Sequence, residues 1–186
     1  MLEDRAGTPR VDRDAGIIFG VRICGPVSEN KRKYTPAALK GAISLYENAK
    51  VKLDHPRGKP TEQRSTSSIF GWLKGVHLGK DGALYADLHY LKSHEMAESV
   101  CEAAERNPTL YSLSHNADAA GAKDADGWFV IDQITEVRSV DLVDTGATNK
   151  SLFEHKEEAR ISQVKVWSVL EAVSRNGSAS RKLRRR

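Results

Sequence analysis

The chain has 186 residues and a mass of 20.5 kDa, enough for one domain whose core needs no disulfide framework or structural metal. Hydrophobic residues supply 39% and charged residues 29%, a globular composition without the run of about 18 apolar residues that a membrane helix needs. The net charge of +4 suggests a nucleic-acid binder, yet five positive charges fall in the last six residues, RKLRRR, which leaves −1 for residues 1–180. The basic character therefore belongs to a tail, and it does not by itself make a DNA-binding domain.

Residues 1–16 are polar, carry charges of both signs and have no apolar h-region, so a flexible N-terminus without a secretory signal is expected. Ile17–Cys24 (IIFGVRIC) reads as a buried strand ended by Gly25-Pro26. Thr35-Pro36 opens a helix, with Thr35 as N-cap and Pro36 at the first helical position. Leu39, Ala42, Ile43 and Tyr46 recur at i, i+3, i+4 and i+7, so one face of that helix is apolar. Val51–Asp54 is a short strand running into His55-Pro56, and residues 57–68 (RGKPTEQRSTSS), with no apolar side chain, read as a mobile surface loop.

Ile69–Leu78 and Ala83–Leu91 flank Gly79-Lys80-Asp81-Gly82 and form a predicted β-hairpin. Ser93 caps a predicted helix that runs to Arg106, with Ala97, Val100, Cys101 and Ala104 inward, and Asn107-Pro108 stops it. Thr109–Ala117 reads as a strand, the Ala/Gly/Asp stretch from Asp118 to Gly127 as a turn or loop, and Trp128–Val143 as one long or two short strands. Residues 151–173 look helical, and a basic flexible tail follows over 174–186. The expected fold class is α+β, with about seven strands and a few helices arranged as a small barrel or sandwich. The alternating β-α units and phosphate-cradling glycine loop of a doubly wound nucleotide-binding fold are missing.

Three polar spots interrupt apolar strands. Pro56 holds His55 extended at a strand end, which presents the imidazole; the bland alternative is a surface turn. Along Leu110–Asn116, Ser112, Ser114 and Asn116 share one strand face while Tyr111, Leu113 and His115 share the other, and serines on a solvated face are the bland alternative. Asp141 stands inside an apolar strand, where a carboxylate is costly unless paired; Arg138 or Lys92 could pair with it. Asp144 resembles a turn residue. A histidine, a serine and an aspartate so spaced are compatible with a nucleophile, base and orienter, but so are sets in many proteins. A metal-dependent hydrolase would instead use His77, His89 and His94 with Asp87, at irregular spacing and without an H-E-x-x-H pattern. Cys24 and Cys101 have no metal-ligand spacing, and their scarcity suits a reducing cytoplasm.

The run GVRICGPVSENKRKYTPAALKGAISLYENAKVKLDHP resembles the opening of bacteriophage prohead (procapsid) maturation proteases, with Asn30, Arg32 and Tyr34 in an N-x-R-x-Y loop and Asp54-His55-Pro56 in the D-H-P motif. Leu113-Ser114 is similar to that family's nucleophile strand, and ITEVRSVDLVDTGATN to its E-V-S-L-V-x-x-P-A segment. The likeness spans residues 17–150, which it implies are a protease domain, and extends to the related herpesvirus capsid protease (assemblin) group, whose fold is a β-barrel wrapped by helices. It implies a serine endopeptidase with His55 as general base, Ser114 as nucleophile and Asp141, chosen over Glu136 and Asp144, as third member. A backbone N–H or basic side chain near Asn149-Lys150 would serve the oxyanion. The chain departs from the pattern at His115-Asn116 after the serine and at Gly146-Ala147 in place of Pro-Ala. The implied substrates are scaffold and major capsid protein inside the immature shell in the host bacterial cytoplasm, and the enzyme itself. The likeness implies no cofactor. The tail would contact nucleic acid or acidic scaffold, a homo-oligomer is compatible with it, and an inactive capsid-assembly protein of the same fold is the alternative.

Overall fold

A computed structural model describes residues 10–153, and within them nine strands and three α-helices form a mixed α+β fold. Val11–Asp12 (β1) turns back onto Ile17–Cys24 (β2), with Asp12 Oδ1 accepting the Ala15 N–H at 2.8 Å and Val11 buried. Part of the N-terminus expected to be flexible is therefore paired. Val27–Ser28 (β3) and Arg32–Tyr34 (β4) form a short hairpin over the N-x-R-x-Y loop.

Thr35 caps the next helix as its sequence requires, its hydroxyl accepting the Ala38 N–H at 3.1 Å. A turn at Ala42 divides that helix into Pro36–Gly41 (α1) and Ile43–Tyr46 (α2) without interrupting its apolar stripe, for Leu39, Ala42 and Tyr46 are all buried. Lys50–Leu53 (β5) follows, then Ile69–Leu78 (β6) and Leu84–Tyr90 (β7), which make the expected hairpin. At Gly71 a Cβ would stand 2.0 Å from the His89 carbonyl oxygen, so only glycine permits that approach. Ala97–Arg106 (α3) starts later than Ser93: the His94 ring accepts the Met96 N–H at 3.1 Å and occupies the preceding turn.

Ser112–Lys123 (β8) and Phe129–Val143 (β9) form a long hairpin. The stretch from Asp118 to Lys123, expected to be a loop, is strand because β9 supplies its ladder partners; tertiary pairing overrides the weak strand propensity of Ala, Gly and Asp. The turn is confined to Asp124–Trp128, where Asp124 Oδ1 accepts the N–H groups of Asp126 and Trp128 and Gly127 takes φ +78°.

The ladder order is β1-β2-β7-β6-β5-β9-β4-β3, with β8 along the other side of β9. β5 and β4 both run parallel to β9, β5 at Val140–Leu142 and β4 at Phe129–Ile131. The core packs around Ile18, Leu39, Tyr46, Phe70, Leu88 and Leu113, none more than 0% exposed.

The barrel expected from the resemblance is not closed, and the strand count is nine rather than about seven. The physical reason lies at the seam between β2 and β8. Residues 146–153 occupy it: the Arg22 N–H donates to the Leu152 carbonyl at 2.9 Å, and Asn149 Nδ2 reaches the carbonyls of Arg22, Ile23 and Leu113 at 3.2, 2.9 and 2.6 Å. A side-chain amide thus stands where a strand-to-strand ladder would close the sheet. Apart from residues 151–153, the expected C-terminal helical segment and the basic tail lie outside the described residues.

Candidate active site

β9 is the middle strand of the site. The β8–β9 register sets Ser114 opposite Asp141, Ser112 opposite Val143 and Asn116 opposite Ser139. The parallel β5–β9 register sets Lys52 beside Asp141 and Leu53 beside Leu142. Directly paired residues point to one face with Cβ atoms about 4.5–5.5 Å apart, so Lys52, Asp141 and Ser114 form a row across three strands. Val140 and Leu142 alternate to the other face and enter the core.

His55 comes to this row from the end of β5. The Asp54 N–H still donates to the Leu142 carbonyl at 3.0 Å, and Asp54 then takes φ +57°. This left-handed conformation, which Asp tolerates better than most residues, ends the strand at the motif. The aspartate of Asp-His-Pro is thus a backbone device, exposed to solvent, and the carboxylate that meets His55 belongs to another residue. His55 Nδ1 lies 2.7 Å from Asp141 Oδ2, with the imidazole 49% exposed and the carboxylate 0% exposed. With Nδ1–H donating to the carboxylate, Nε2 is the basic nitrogen.

Asp141 is a buried carboxylate with every partner accounted for. Oδ2 takes His55; Oδ1 takes the Ser139 hydroxyl and Arg64 Nη2, each at 2.7 Å. Such pairing offsets the desolvation that makes a lone buried charge so costly. Neither sequence-nominated partner is involved. Arg138, the extra residue of a β-bulge between Val137 and Ser139, turns to Asp118 and Glu136, and Lys92 donates to the Asp14 carbonyl. The loop over 57–68 supplies Arg64 and is tied a second time where Asn116 Nδ2 donates to the Pro60 carbonyl at 2.8 Å. Beside it, Lys52, Pro60–Arg64, Asn116, Arg138 and Ser139 line a polar cleft of about 440 Å³.

The two serines differ. Ser112 is 0% exposed, its hydroxyl finds no partner among the described residues, and Gly146 packs against it. Ser114 is 9% exposed and sits directly across the ladder from Asp141. On the opposite face His115 lies between two tyrosines, with Tyr34 Oη 2.8 Å from Nε2 and Tyr46 Oη bonded to Nδ1. Burial, then the Arg32 charge, lower the His115 pKa to about 4, so the ring is neutral, one nitrogen donating and the other accepting. Burial also drives the Tyr34 and Tyr46 hydroxyls upward.

Other candidates find structural partners. Asn149 is spent on three carbonyls and Lys150 pairs with Glu29 at 2.5 Å, so neither side chain is aimed at an oxyanion. Glu136 joins Arg138, and Asp144 Oδ1 accepts the Thr145 N–H in a turn. His77 bonds the Gly75 carbonyl, His89 stacks on Trp72, His94 bonds the Ser67 carbonyl, and Asp87 accepts the Gly20 N–H. Among the described residues no group of three His, Cys, Asp or Glu side chains could hold a metal ion. Cys24 and Cys101 are free and buried, and burial pushes the Cys24 thiol up to about 12, against the thiolate a nucleophile needs. Sequence reasoning missed Arg64 and Ser139, and it named Tyr34 and Tyr46 without their bonds to His115. Comparison of the chain with family models, curated proteins and solved structures finds no match in any of the three.

Proposed function

We propose that the protein is a serine endopeptidase in which Ser114 is the nucleophile, His55 the general base and Asp141 the orienting acid. The observation that carries this reading is one buried carboxylate between two residues distant in sequence: Asp141 lies 2.7 Å from His55 Nδ1 and has Ser114 as its cross-strand partner. His55 Nε2 takes the proton from Ser114 Oγ as the oxygen attacks the scissile carbonyl. The amine leaves with that proton, and an acyl-enzyme remains. Water, deprotonated by the same imidazole, then releases the acyl group. Asp141 fixes the tautomer and stabilises the imidazolium as it forms.

The substrates in this reading follow the resemblance to prohead maturation proteases: scaffold protein, major capsid protein and the chain itself, inside an immature shell. Confinement raises the effective concentration of the enzyme's own termini and favours self-cleavage. The tail over 181–186 docks on acidic scaffold or nucleic acid through charge, so that contact weakens with salt. The test is incubation of the full chain with its cognate capsid and scaffold proteins, wild type beside Ser114→Ala. Processing by the wild type alone supports the reading. Equal processing by both removes Ser114 as the nucleophile, and assembly that needs the protein but shows no cleavage favours the inactive assembly protein.

A further inference from the structure

We propose that Arg64 is a positioning residue for the His55–Asp141 pair, holding the buried carboxylate and the backbone that leads into the histidine in a single arrangement. The inference rests on the serine-peptidase reading for its catalytic meaning, and on geometry for its physical content. Arg64 Nη2 donates to Asp141 Oδ1 and to the Ser139 hydroxyl, each at 2.7 Å, while Nη1 donates to the Asp54 carbonyl at 2.5 Å and the Leu53 carbonyl at 3.4 Å. Its side chain is 12% exposed, so these bonds are made largely away from water.

The two carboxylate oxygens of Asp141 are thereby divided, Oδ1 to Arg64 and Ser139, Oδ2 to His55. The planar fork of Arg suits this: one nitrogen meets the acid and the other the chain, and a point-charge ammonium cannot span both. Nη1 also clamps the carbonyls on either side of the left-handed turn at Asp54 that precedes His55.

The second consequence is electrostatic. A buried carboxylate with a histidine as its main partner draws a proton onto the imidazole and so removes the base. Arg64 satisfies that charge instead. Charged or titratable groups near the pair include Lys52 on β5, beside Asp141 in the ladder; Asp54, the chain neighbour of His55; and His115 on β8, which feels both His55 and Asp141. The positive field of Arg64 is felt at Lys52, whose pKa is lowered by burial first and by Arg64 next.

The test uses the full chain with Arg64→Ala and Arg64→Lys. NMR follows the His55 Nδ1–H resonance, which reports its bond to Asp141 and is assigned with His55→Ala, and a fluorophosphonate probe reports Ser114 reactivity against pH. The expected result for Arg64→Ala is an Nδ1–H resonance displaced or lost to solvent exchange, with labelling slowed about tenfold or more and its acid limb moved to higher pH. Arg64→Lys restores the acid limb but only part of the labelling rate, since the charge returns and the fork does not. An unmoved resonance and an unmoved pH profile in both folded variants, with only a lowered unfolding temperature, overturn the proposal. An Nδ1–H resonance that responds to Arg64→Ala in a protein never labelled at Ser114 sinks the peptidase reading and leaves the role of Arg64 toward His55 standing.

Discussion

Replacing His115 by glutamine is expected to remove a large part of the acid sensitivity of the fold. Burial holds the ring at about 4, against 6.5 when it is free. The unfolded chain then binds a proton more tightly than the folded one, so the stabilisation is complete above pH ~6.5 and is lost as pH falls toward 4. At 1.36 kcal/mol per pH unit, the linkage between those two values removes about 2 kcal/mol between pH 7 and pH 5. That is a sizeable part of a total stability of about 5–15 kcal/mol. Glutamine keeps one donor and one acceptor for Tyr34 and Tyr46 but does not titrate. Urea unfolding at several pH values, wild type minus His115→Gln, cancels the groups common to both. The difference is expected to change by about 2 kcal/mol from pH 7 to 5, with wild type losing more. A difference constant to within about 0.5 kcal/mol would show that His115 accepts its proton in place, and would refute the neutral tyrosine-bridged ring.

Asp141→Asn is expected to cut Ser114 reactivity on the order of 10³- to 10⁴-fold through the wrong imidazole tautomer, and to lower the urea midpoint because Arg64 keeps its buried charge without a counter-ion. Ser112→Ala, which removes a buried hydroxyl that has no partner among the described residues, is expected to keep fluorophosphonate labelling and to match or exceed wild-type stability in the same unfolding assay. Gly146→Ala would set a Cβ 2.9 Å from the Leu113 carbonyl and 3.0 Å from Ser112 Oγ, so it is expected to cost about 1–3 kcal/mol and to slow labelling by displacing the start of β8. Thr35→Ala is expected to cost about 1 kcal/mol by calorimetry, the worth of the lost cap.

What could be read from the chain was local. The β6–β7 hairpin, the Thr35-Pro36 helix start and the inward face of α3 follow from turn chemistry and periodicity, which act over a few residues. The strand character of Asp118–Lys123 was hidden because its cause is β9, a partner whose pairing no propensity encodes. The open seam was hidden for a similar reason: the sequence marks Asn149 only through the resemblance, as lying near an oxyanion donor, and nothing local places it between Arg22 and Leu113. In the site, Asp141 announced itself as an acid in an apolar strand, and His55 as a histidine held before proline. Arg64 left no such mark, being one of several charges in a polar loop, and only the fold reveals that its guanidinium is buried against Asp141. The shared face of Ser112 and Ser114 was legible from strand alternation, and the choice of Ser114 came from the resemblance of Leu113-Ser114; the β8–β9 register adds only that Ser114 stands across from Asp141 and Ser112 across from Val143.

The most direct measurement is the mapping of a fluorophosphonate adduct on the full chain by peptide mass spectrometry, with His55→Ala, Ser112→Ala and Ser114→Ala beside wild type. The account expects one adduct, on Ser114, retained in Ser112→Ala, lost in Ser114→Ala and strongly reduced in His55→Ala. An adduct on Ser112, or labelling of Ser114 that is indifferent to His55, would contradict it.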